Sequence, residues 1–397
     1  MAVTTIDELR TSPNALAAHY SRFRVDQRLL LTGHSHQAWP DVALRGQLEA
    51  FEDAADAVDG KWDKAFAKAD AVRAGVRRLL GDPAAELALG ANTHELVVRF
   101  LSSLALREKP RLVTTDGEFH SVRRQLARLA EEGIEVVKVA SAPVATLAER
   151  MAAAVDDRTS AVLISAVLFE TSRIVPDLGD LAAACARRGV ELLVDIYHGL
   201  GVVPFDEFGA GLDAAWLVGG GYKYLQLGEG NCFLRLPRHA LDARPVFTGW
   251  FAEFDDLAQR NHRVTYAPGA ARFAGSTYDP TSHYRASHVL EFFAEQQLTP
   301  ALLRRISLHQ TELLARRFDE LDTGLITRDR DAPRSAFGGF LSLRSSRAAD
   351  LRAGLAERGV ATDSRGEYLR FGPAPYLSDA QLEAAIAALG EVLTDLR

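Results

Sequence analysis

Residues 160–170 read SAVLISAVLFE, a nearly continuous apolar run with the length of a single buried strand. Residues 177–190, DLGDLAAACARRGV, place apolar side chains at helical spacing before a glycine, and residues 190–199, VELLVDIYHG, are apolar again. A strand, a helix and a second strand in this order predict a βαβ unit. Because strands that are apolar on both faces belong to parallel sheets covered by helices, we expect an α/β fold.

The alternation of strands and helices extends over the flanking sequence and changes in character after about residue 290. A long helix is predicted there, through LRRISLHQTELLARRFDEL, followed by short strands in GGFLSLR and EYLRFGP and by a final helix. This pattern predicts a smaller C-terminal α+β domain. Further strands of the large sheet are predicted at residues 111–120, 134–140, 213–220 and 231–236.

The composition is that of a globular protein of about two domains. The 397 residues are 47% hydrophobic and 25% charged, and 46 basic against 53 acidic side chains give a net charge of −7. No basic run is long enough for a nucleic-acid surface, so a nucleic-acid partner is not expected. No apolar stretch reaches the length of about 18 residues that a membrane span needs, so none is expected. The N-terminus lacks the pattern of a secretory signal, and Cys185 and Cys232 lack metal-binding spacing. We therefore expect a cytoplasmic protein without a thiolate metal site.

Polar residues follow the predicted strands, at the sheet edge where parallel α/β proteins bind their ligands. Asp195 and His198 close one apolar run, and Lys223 lies between two tyrosines in GGGYKYLQLGEGN, residues 219–231. A lysine in such a run is also compatible with an exposed charge on an ordinary strand, since lysines are rarely buried without a partner. The run at residues 111–120 ends in three further candidates, Glu118, Phe119 and His120.

A helix start in GANTHELVVRF, residues 90–100, is a candidate phosphate site. Small and hydroxyl-bearing residues open the helix there. The free N–H groups and the dipole of a helix start favour a phosphate. The same residues also form a common helix cap that binds no ligand.

Together these parts match the requirements of one cofactor. Pyridoxal 5′-phosphate (PLP) needs a lysine that condenses with its aldehyde, a carboxylate facing the pyridine nitrogen, a flat side chain over the ring and a cup for the phosphate. Lys223, Asp195 and the helix start at residues 90–100 meet these needs. The glycines at 219–221 let the backbone pass close to the cofactor, and we expect Lys223 to titrate below the usual lysine range.

From about residue 28 to 380, the chain resembles the class V, fold-type I PLP enzymes, and within them it is most similar to kynureninase. The family's Asp-x-x-His is matched by Asp195-Ile-Tyr-His198, and its Tyr-Lys-Tyr-Leu-Asn by Tyr222-Lys223-Tyr224-Leu225-Gln226. Its Gly-Trp-Phe is matched by Gly249-Trp250-Phe251, and its late Ile-Arg-x-Ala-Pro by Leu369-Arg370-Phe371-Gly372-Pro373.

The resemblance implies a domain organisation. A large PLP-binding domain with a mostly parallel sheet of the seven-stranded type would span residues 41–289. The smaller α+β domain would contain residues 290–397, with the N-terminal segment, residues 1–40, packed against it.

The resemblance also implies a role for each candidate residue. Lys223 would bind PLP covalently and move protons at the substrate Cα, and Asp195 would pair with the pyridine nitrogen. His198 would support Asp195 or the phenolic oxygen of the ring. Arg370 would clamp the substrate α-carboxylate with its planar fork of N–H donors.

The remaining cofactor contacts implied by the resemblance come from two subunits of an obligate homodimer. Glu118 would lie near the cofactor, and Phe119 or His120 would cover one face of its ring. The phosphate would be held by Thr93, His94 and Tyr222 of one subunit and by Trp250 and Thr277 of the other.

The chain departs from the family in the substrate pocket. Kynureninases have Gly-Asn-Ser-Leu-Gly where this chain has Gly33-His34-Ser35-His36-Gln37. Two imidazoles make the pocket more polar and able to titrate near neutral pH. A metal site at His34 and His36 is not expected, because no third and fourth ligand is apparent nearby.

Three functions are compatible with these residues. The first is kynureninase-like hydrolysis, in which water cleaves the Cβ–Cγ bond of an aryl- or acyl-alanine. The second is another reaction on the same scaffold, such as β-elimination, C–S lyase action, transamination or a biosynthetic C–C bond step. Desulfurase chemistry is disfavoured, since Cys185 lies in a predicted helix and Cys232 in a predicted strand. The third is a non-catalytic protein, against which the intact Asp195, Lys223 and Arg370 argue.

Overall fold

The chain is represented by a computed structural model that describes residues 5–256, 263–321 and 323–396. Its strands are short, and most of them are buried. In chain order they are β1 (Leu29–Leu30), β2 (Glu86–Gly90), β3 (Arg111–Thr115), β4 (Glu135–Val139), β5 (Thr159–Ser165), β6 (Glu191–Asp195), β7 (Trp216–Gly220), β8 (Cys232–Leu236), β9 (Thr327–Arg328), β10 (Leu341–Arg344), β11 (Val360–Ala361), β12 (Asp363–Arg365) and β13 (Tyr368–Phe371).

The α-helices lie between these strands and at both ends of the described chain. In order they are α1 (Ile6–Arg10), α2 (Val42–Ala57), α3 (Trp62–Leu80), α4 (Thr93–Ser102), α5 (His120–Glu131), α6 (Leu147–Ala153), α7 (Leu178–Arg187), α8 (Phe205–Phe208), α9 (Thr281–Glu295), α10 (Pro300–Asp319), α11 (Ala348–Glu357) and α12 (Asp379–Asp395).

Seven strands form the large sheet, in the order β2-β8-β7-β6-β5-β3-β4. The pairs from β7 to β4 are all parallel, which confirms the predicted mostly parallel α/β sheet. β8 runs antiparallel to both β7 and β2. The segment at 221–231 contains no helix, so the chain turns back beside β7 without a crossover connection.

Helices cover both faces of the large sheet, and alternate side chains of β5 show this. Val162 and Ile164 belong to a core that includes Leu181 of α7, whereas Leu163 belongs to a second core that includes Phe100 of α4. Successive side chains of a strand point to opposite faces, so every residue of β5 is buried. This explains why the run at 160–170 is apolar without alternation.

A second, four-stranded sheet, in the order β12-β13-β10-β9, lies in the C-terminal part of the chain and confirms the predicted smaller α+β unit. The N-terminal segment joins this part, because β1 pairs in parallel with β11. The buried Asn14 side chain donates hydrogen bonds to the carbonyl oxygens of Leu9 and Pro375. The domain limits at residues 40 and 290 remain predictions.

Among the helices of residues 5–256, 263–321 and 323–396, none is long and apolar enough to cross a bilayer.

Asn14 provides a test of the contact between the N-terminal segment and the C-terminal part. Replacing Asn14 with Ala leaves the carbonyl oxygens of Leu9 and Pro375 without this donor and the Leu16 N–H without its acceptor. We expect the free energy of unfolding to fall by about 2 kcal/mol, measured by denaturant titration. Thr11→Ala, which removes an exposed hydroxyl from the same segment, is the control and should change little. Equal effects of the two changes would contradict the anchoring role of Asn14.

Candidate active site

The carboxyl ends of the parallel strands surround a cleft with about 370 Å³ of free space, part of which opens to solvent. β2 ends at the same edge, because both β2 and β7 are antiparallel to β8. The cleft is lined by Thr93, Phe119, Ser121, Ser165, Val167, Phe169, Asp195, Tyr197, His198, Tyr222 and Lys223. Six of these residues are among the candidates from the sequence: Thr93, Phe119, Asp195, His198, Tyr222 and Lys223.

Lys223 lies at the centre of the cleft and is only 5% exposed. Its Nζ is 2.6 Å from His198 Nε2. The same nitrogen lies 4.8 Å from the centre of the Tyr197 ring and 5.1 Å from that of Phe119. Burial lowers the pKa of Lys223 to about 7, although the charge of Asp195 opposes the shift. The amine is therefore partly neutral near pH 7, as a nucleophile or base requires.

Asp195 is the last residue of β6, and its Oδ1 accepts a hydrogen bond of 2.8 Å from the backbone N–H of Tyr197. Burial raises the pKa of Asp195, while this hydrogen bond and the Lys223 charge oppose the rise. Burial lowers the pKa of His198 well below its usual value, so its imidazole is neutral. Over the described ranges, His198 Nδ1 is buried without a hydrogen-bond partner.

His198 has two predicted roles, support of Asp195 and support of the phenolic oxygen of the cofactor ring. Its hydrogen bond in this structure joins Lys223, and none to Asp195 is found within the described part of the chain. Both roles remain predictions for His198.

Glu118 lies behind the cleft and is 2% exposed. Its carboxylate accepts hydrogen bonds from the Thr115 hydroxyl at 2.7 Å and from the Ser165 hydroxyl at 2.6 Å. Burial raises the pKa of Glu118 to about 7. Glu118 thus joins the ends of β3 and β5 and fixes Ser165 in the wall, so its cofactor contact remains a prediction.

The structure separates the two neighbours at the start of α5. Phe119 lines the cleft beside Lys223, whereas His120 is exposed. This placement favours Phe119 over His120 as the side chain that would cover one face of the cofactor ring.

The three residues predicted to bind the phosphate within one subunit differ in position. Thr93, the first residue of α4, lies in the lining, and the Asn92 side chain caps the helix by accepting the Glu95 N–H at 2.9 Å. Tyr222 is in the lining as well, but His94 is exposed. The phosphate roles of all three remain predictions.

Arg370 on β13 approaches the site from the smaller sheet and is 3% exposed. Its Nε and Nη2 donate hydrogen bonds of 2.7 Å to the two oxygens of Asp363, and its Nη1 donates to the carbonyl oxygen of Phe169. Phe169 also lines the cleft, so Arg370 is held at the rim.

The three candidates of the Gly33–Gln37 turn have different surroundings. His34 is fully buried, with Nε2 3.3 Å from Asp363 Oδ1. Burial lowers the pKa of His34 to about 4, so the expectation that it titrates near neutral pH is wrong. His36 is exposed and stacks on Tyr222 with ring centres 4.7 Å apart, while the Ser35 hydroxyl is 3.2 Å from His36 Nδ1. No group of three or more His, Cys, Asp or Glu residues positioned for a metal occurs in the ranges that the structure covers.

Trp250 and Thr277 lie outside the cleft lining of their own chain. Trp250 is 43% exposed and stacks on Phe254, and Thr277 is exposed and lies in a second cleft with Phe251. Both residues are predicted to reach the active site of a neighbouring subunit. Their positions are compatible with this role, which remains a prediction.

Several residues of the lining were not among the candidates from the sequence, namely Ser121, Ser165, Val167, Phe169 and Tyr197. Ser165 ends β5 beside Asp195 of β6, and the two are register partners. The rule that ligands lie at the carboxyl ends of strands could have identified Ser165. No such signal marks Phe169 or Val167, which are apolar residues in an apolar run.

Comparison with known proteins identifies relatives with a stated activity. A kynureninase from Deinococcus radiodurans is 31% identical over 339 residues, which cover 82% of this chain and 78% of that protein. No family model matches the chain.

Solved structures of known proteins share the fold, as three of them show. A cystine C–S lyase, C-DES, bound to its product cysteine persulfide, has a TM-score of 0.81 at 17% identity and covers 92% of this chain and 98% of its own. A C-DES mutant with glycine covalently linked to its PLP cofactor gives 0.81 at 16% identity and covers 94% and 98%. A cysteine desulfurase from Thermococcus onnurineus gives 0.78 at 16% identity over 100% of both chains.

The lowered pKa of Lys223 predicts how quickly its amine reacts with an aldehyde. Protonated amines are not nucleophilic, so the rate at which cofactor-free protein binds added PLP covalently should rise through a midpoint near pH 7. Visible absorbance followed between about pH 6 and 9 measures this rate, with Nα-acetyl-lysine as the control, whose rate should still rise at pH 9. A protein rate without a plateau up to pH 9 would contradict the shift.

Proposed function

Because the chain belongs to the kynureninase family of class V, fold-type I PLP-dependent enzymes, we propose that it hydrolyses the Cβ–Cγ bond of an aryl- or acyl-alanine. The observation that carries this proposal is the 31% identity with a kynureninase over 82% of the chain. Water adds to the γ-carbonyl carbon, the Cβ–Cγ bond breaks, and the products are a carboxylic acid and alanine.

The residues present fit PLP. The buried Lys223 amine is partly neutral, and Asp195 supplies a carboxylate at the neighbouring strand end. Phe119 offers a flat ring, and Thr93 opens a helix at the same cleft. In this wall, His198 Nδ1 is buried without a hydrogen-bond partner among the described residues, and it is available to the cofactor. When bound, PLP acts as an electron sink for charge that develops at the substrate Cα.

Each of these side chains has a stated task in the proposed reaction. Lys223 would bind the cofactor covalently and would afterwards remove and return protons at the substrate Cα. Asp195 would pair with the pyridine nitrogen. The neutral His198 forms a hydrogen bond with Lys223 Nζ and so directs the amine within the cleft.

Substrate binding is assigned to Arg370 and the aromatic wall. Arg370 is buried at the rim and binds the α-carboxylate through the N–H groups that Asp363 leaves free. Phe119 and Phe169, with ring centres 5.5 Å apart, give an apolar wall that suits an aryl side group. Ser35 and His36 contribute polar atoms at the mouth.

Persulfide chemistry is not part of the proposal. Cys185 and Cys232 are both buried, and burial raises the pKa of Cys185 to about 12 and of Cys232 to about 11. A persulfide-forming cysteine needs an accessible thiolate. The alternative function is β-elimination or C–S lyase action without a cysteine nucleophile. Its products from cysteine distinguish it from hydrolysis of a kynurenine.

We also propose a homodimer in which the active site is shared. The segment from Val246 to Phe254 exposes several large apolar side chains, of which Trp250 and Phe254 stack on each other. Exposed apolar patches mark protein interfaces. Trp250 and Thr277 would then contact the phosphate in the partner's cleft. The exposed apolar residues of this segment are Val246, Phe247, Trp250 and Phe254.

The activity is tested by adding kynurenine, 3-hydroxykynurenine, cysteine and aspartate separately to the holoenzyme and identifying products by mass. We expect an anthranilate-type acid and alanine from the first two substrates. Lys223→Ala should reduce this turnover by a factor of about 1,000 or more, because the covalent step and the proton transfers depend on its amine. Release of pyruvate and sulfide from cysteine, without cleavage of either kynurenine, would replace hydrolysis with elimination.

Shared sites are tested by mixing two chains that carry different defects in PLP binding. Neither chain binds PLP tightly in its own dimer: one carries Lys223→Ala and lacks the covalent link, and the other carries Trp250→Ala with Thr277→Ala, which should weaken PLP binding about tenfold. Loss of PLP retention, not loss of activity, is the property compared. A hybrid dimer then contains one intact site, and we expect one tightly bound PLP per hybrid after gel filtration. PLP retention no better than in the parent dimers would contradict sharing. A monomer at micromolar concentration would contradict the dimer itself.

A further inference from the structure

Asp363 connects the substrate arginine to the N-terminal turn. Its two oxygens accept Nε and Nη2 of Arg370, each at 2.7 Å, and its Oδ1 also lies 3.3 Å from Nε2 of His34. Asp363 and Arg370 are register partners on β12 and β13, so the strand pairing places them together. His34 comes from the turn that follows β1 and bonds the carboxylate from a different part of the chain.

This carboxylate fixes which side of the guanidinium remains available. Two N–H groups on one edge of Arg370 are bound by Asp363, and Nη1 donates to the Phe169 carbonyl oxygen. A ligand carboxylate must therefore use the remaining N–H groups. The orientation of the Asp363 carboxylate consequently determines where a ligand carboxylate binds.

His34 is suited to hold Asp363 and has little freedom to move. Burial lowers its pKa to about 4, so the imidazole is neutral at pH 7 and donates its single N–H from Nε2 to Asp363. The ring packs on Phe340 with ring centres 4.7 Å apart. The same Phe340 ring lies 5.6 Å from the Arg370 guanidinium carbon, so one aromatic side chain contacts both groups.

Gly372 gives this imidazole its space. A Cβ at position 372 would lie 2.2 Å from His34 Nδ1 and 2.7 Å from the His34 backbone nitrogen. The backbones cannot separate to relieve such a clash without loss of hydrogen bonds, since Gly33 N–H donates to Gly372 O and Gly372 N–H donates to Leu31 O, each at 2.7 Å.

We propose that His34 is a positioning residue for the Arg370 guanidinium, acting through Asp363, and that position 372 is glycine because it must admit the imidazole. The proposal rests on the proposed role of Arg370 in binding a substrate carboxylate. It does not depend on the bond that the enzyme cleaves. His34 therefore sets the preference for ligands that carry an α-carboxylate.

The preference is measured by titrating the holoenzyme with L-alanine and with ethylamine, which lacks the carboxylate, and following the visible spectrum of the bound cofactor. We expect wild-type protein to favour alanine. His34→Leu, which fills the space without a donor, should weaken alanine binding about tenfold and leave ethylamine binding unchanged. His34→Gln, whose amide can donate to Asp363, should restore most of the preference.

A matched control lies in the turn between β12 and β13 of the same small sheet. Glu367 binds Arg344 through Nε at 3.0 Å and Nη2 at 2.8 Å, on the exposed surface. Glu367→Gln removes a carboxylate partner from an arginine without touching the site and should leave both affinities unchanged. A wild-type preference for alanine that survives in His34→Leu would overturn the positioning role. Kynurenine hydrolysis tests the proposed reaction separately, so the two failures are distinguishable.

The steric part is tested with cofactor-free protein by thermal unfolding. Gly372→Ala should lower Tm in the presence of His34, and in a His34→Ala background the loss should be smaller by at least about 2 °C. The remaining loss reflects the contact with the His34 backbone nitrogen. Equal losses in the two backgrounds would show that the imidazole is not the reason for the glycine.

Discussion

The Lys223 amine loses its water shell at the edge of the large sheet, and the surrounding groups must replace what hydration supplied. His198 Nε2 forms a hydrogen bond with the amine at 2.6 Å, and the rings of Tyr197 and Phe119 lie close to the nitrogen. The negative charge of Asp195 favours the protonated amine, but burial has the larger effect and lowers the pKa of Lys223 to about 7. The parallel pairing of β6 and β7 is essential here, because it brings Asp195 and the lysine loop to the same edge.

The substrate side of the site depends on a second carboxylate and a second sheet. Arg370 is as deeply buried as Lys223, and Asp363 neutralises it through two hydrogen bonds within one strand pair. Phe340 contacts His34 on this side and His198 on the cofactor side. The two halves of the proposed site therefore share a packed aromatic side chain, and the N-terminal turn, the smaller sheet and the large sheet meet there.

Much of the fold follows from local patterns. The uniform apolar run of β5 predicted a strand, because a strand buried on both faces has apolar residues at every position. The helical spacing of α7 predicted a helix, because a helix buried along one stripe has apolar residues every three or four positions. The direction of β8 did not follow, since an apolar run gives a strand but not its partner. Among the candidate residues, Lys223, Asp195, His198, Phe119, Thr93 and Tyr222 line one cleft, while Phe169 and Tyr197 were missed because their residue types signal packing as readily as binding.

The sequence by itself determined the strand and helix alternation, the order of the motifs and the residue types that PLP chemistry requires, since these depend on neighbours along the chain. Tertiary structure decided which groups meet. His34 and Gly372 are both departures from the family's motifs, and only the folded chain shows that one fills the space that the other leaves. It also places Trp250 on the surface, away from its own chain's cleft. The physical reason is that contacts between distant segments arise from strand pairing and side-chain packing, which no local spacing encodes.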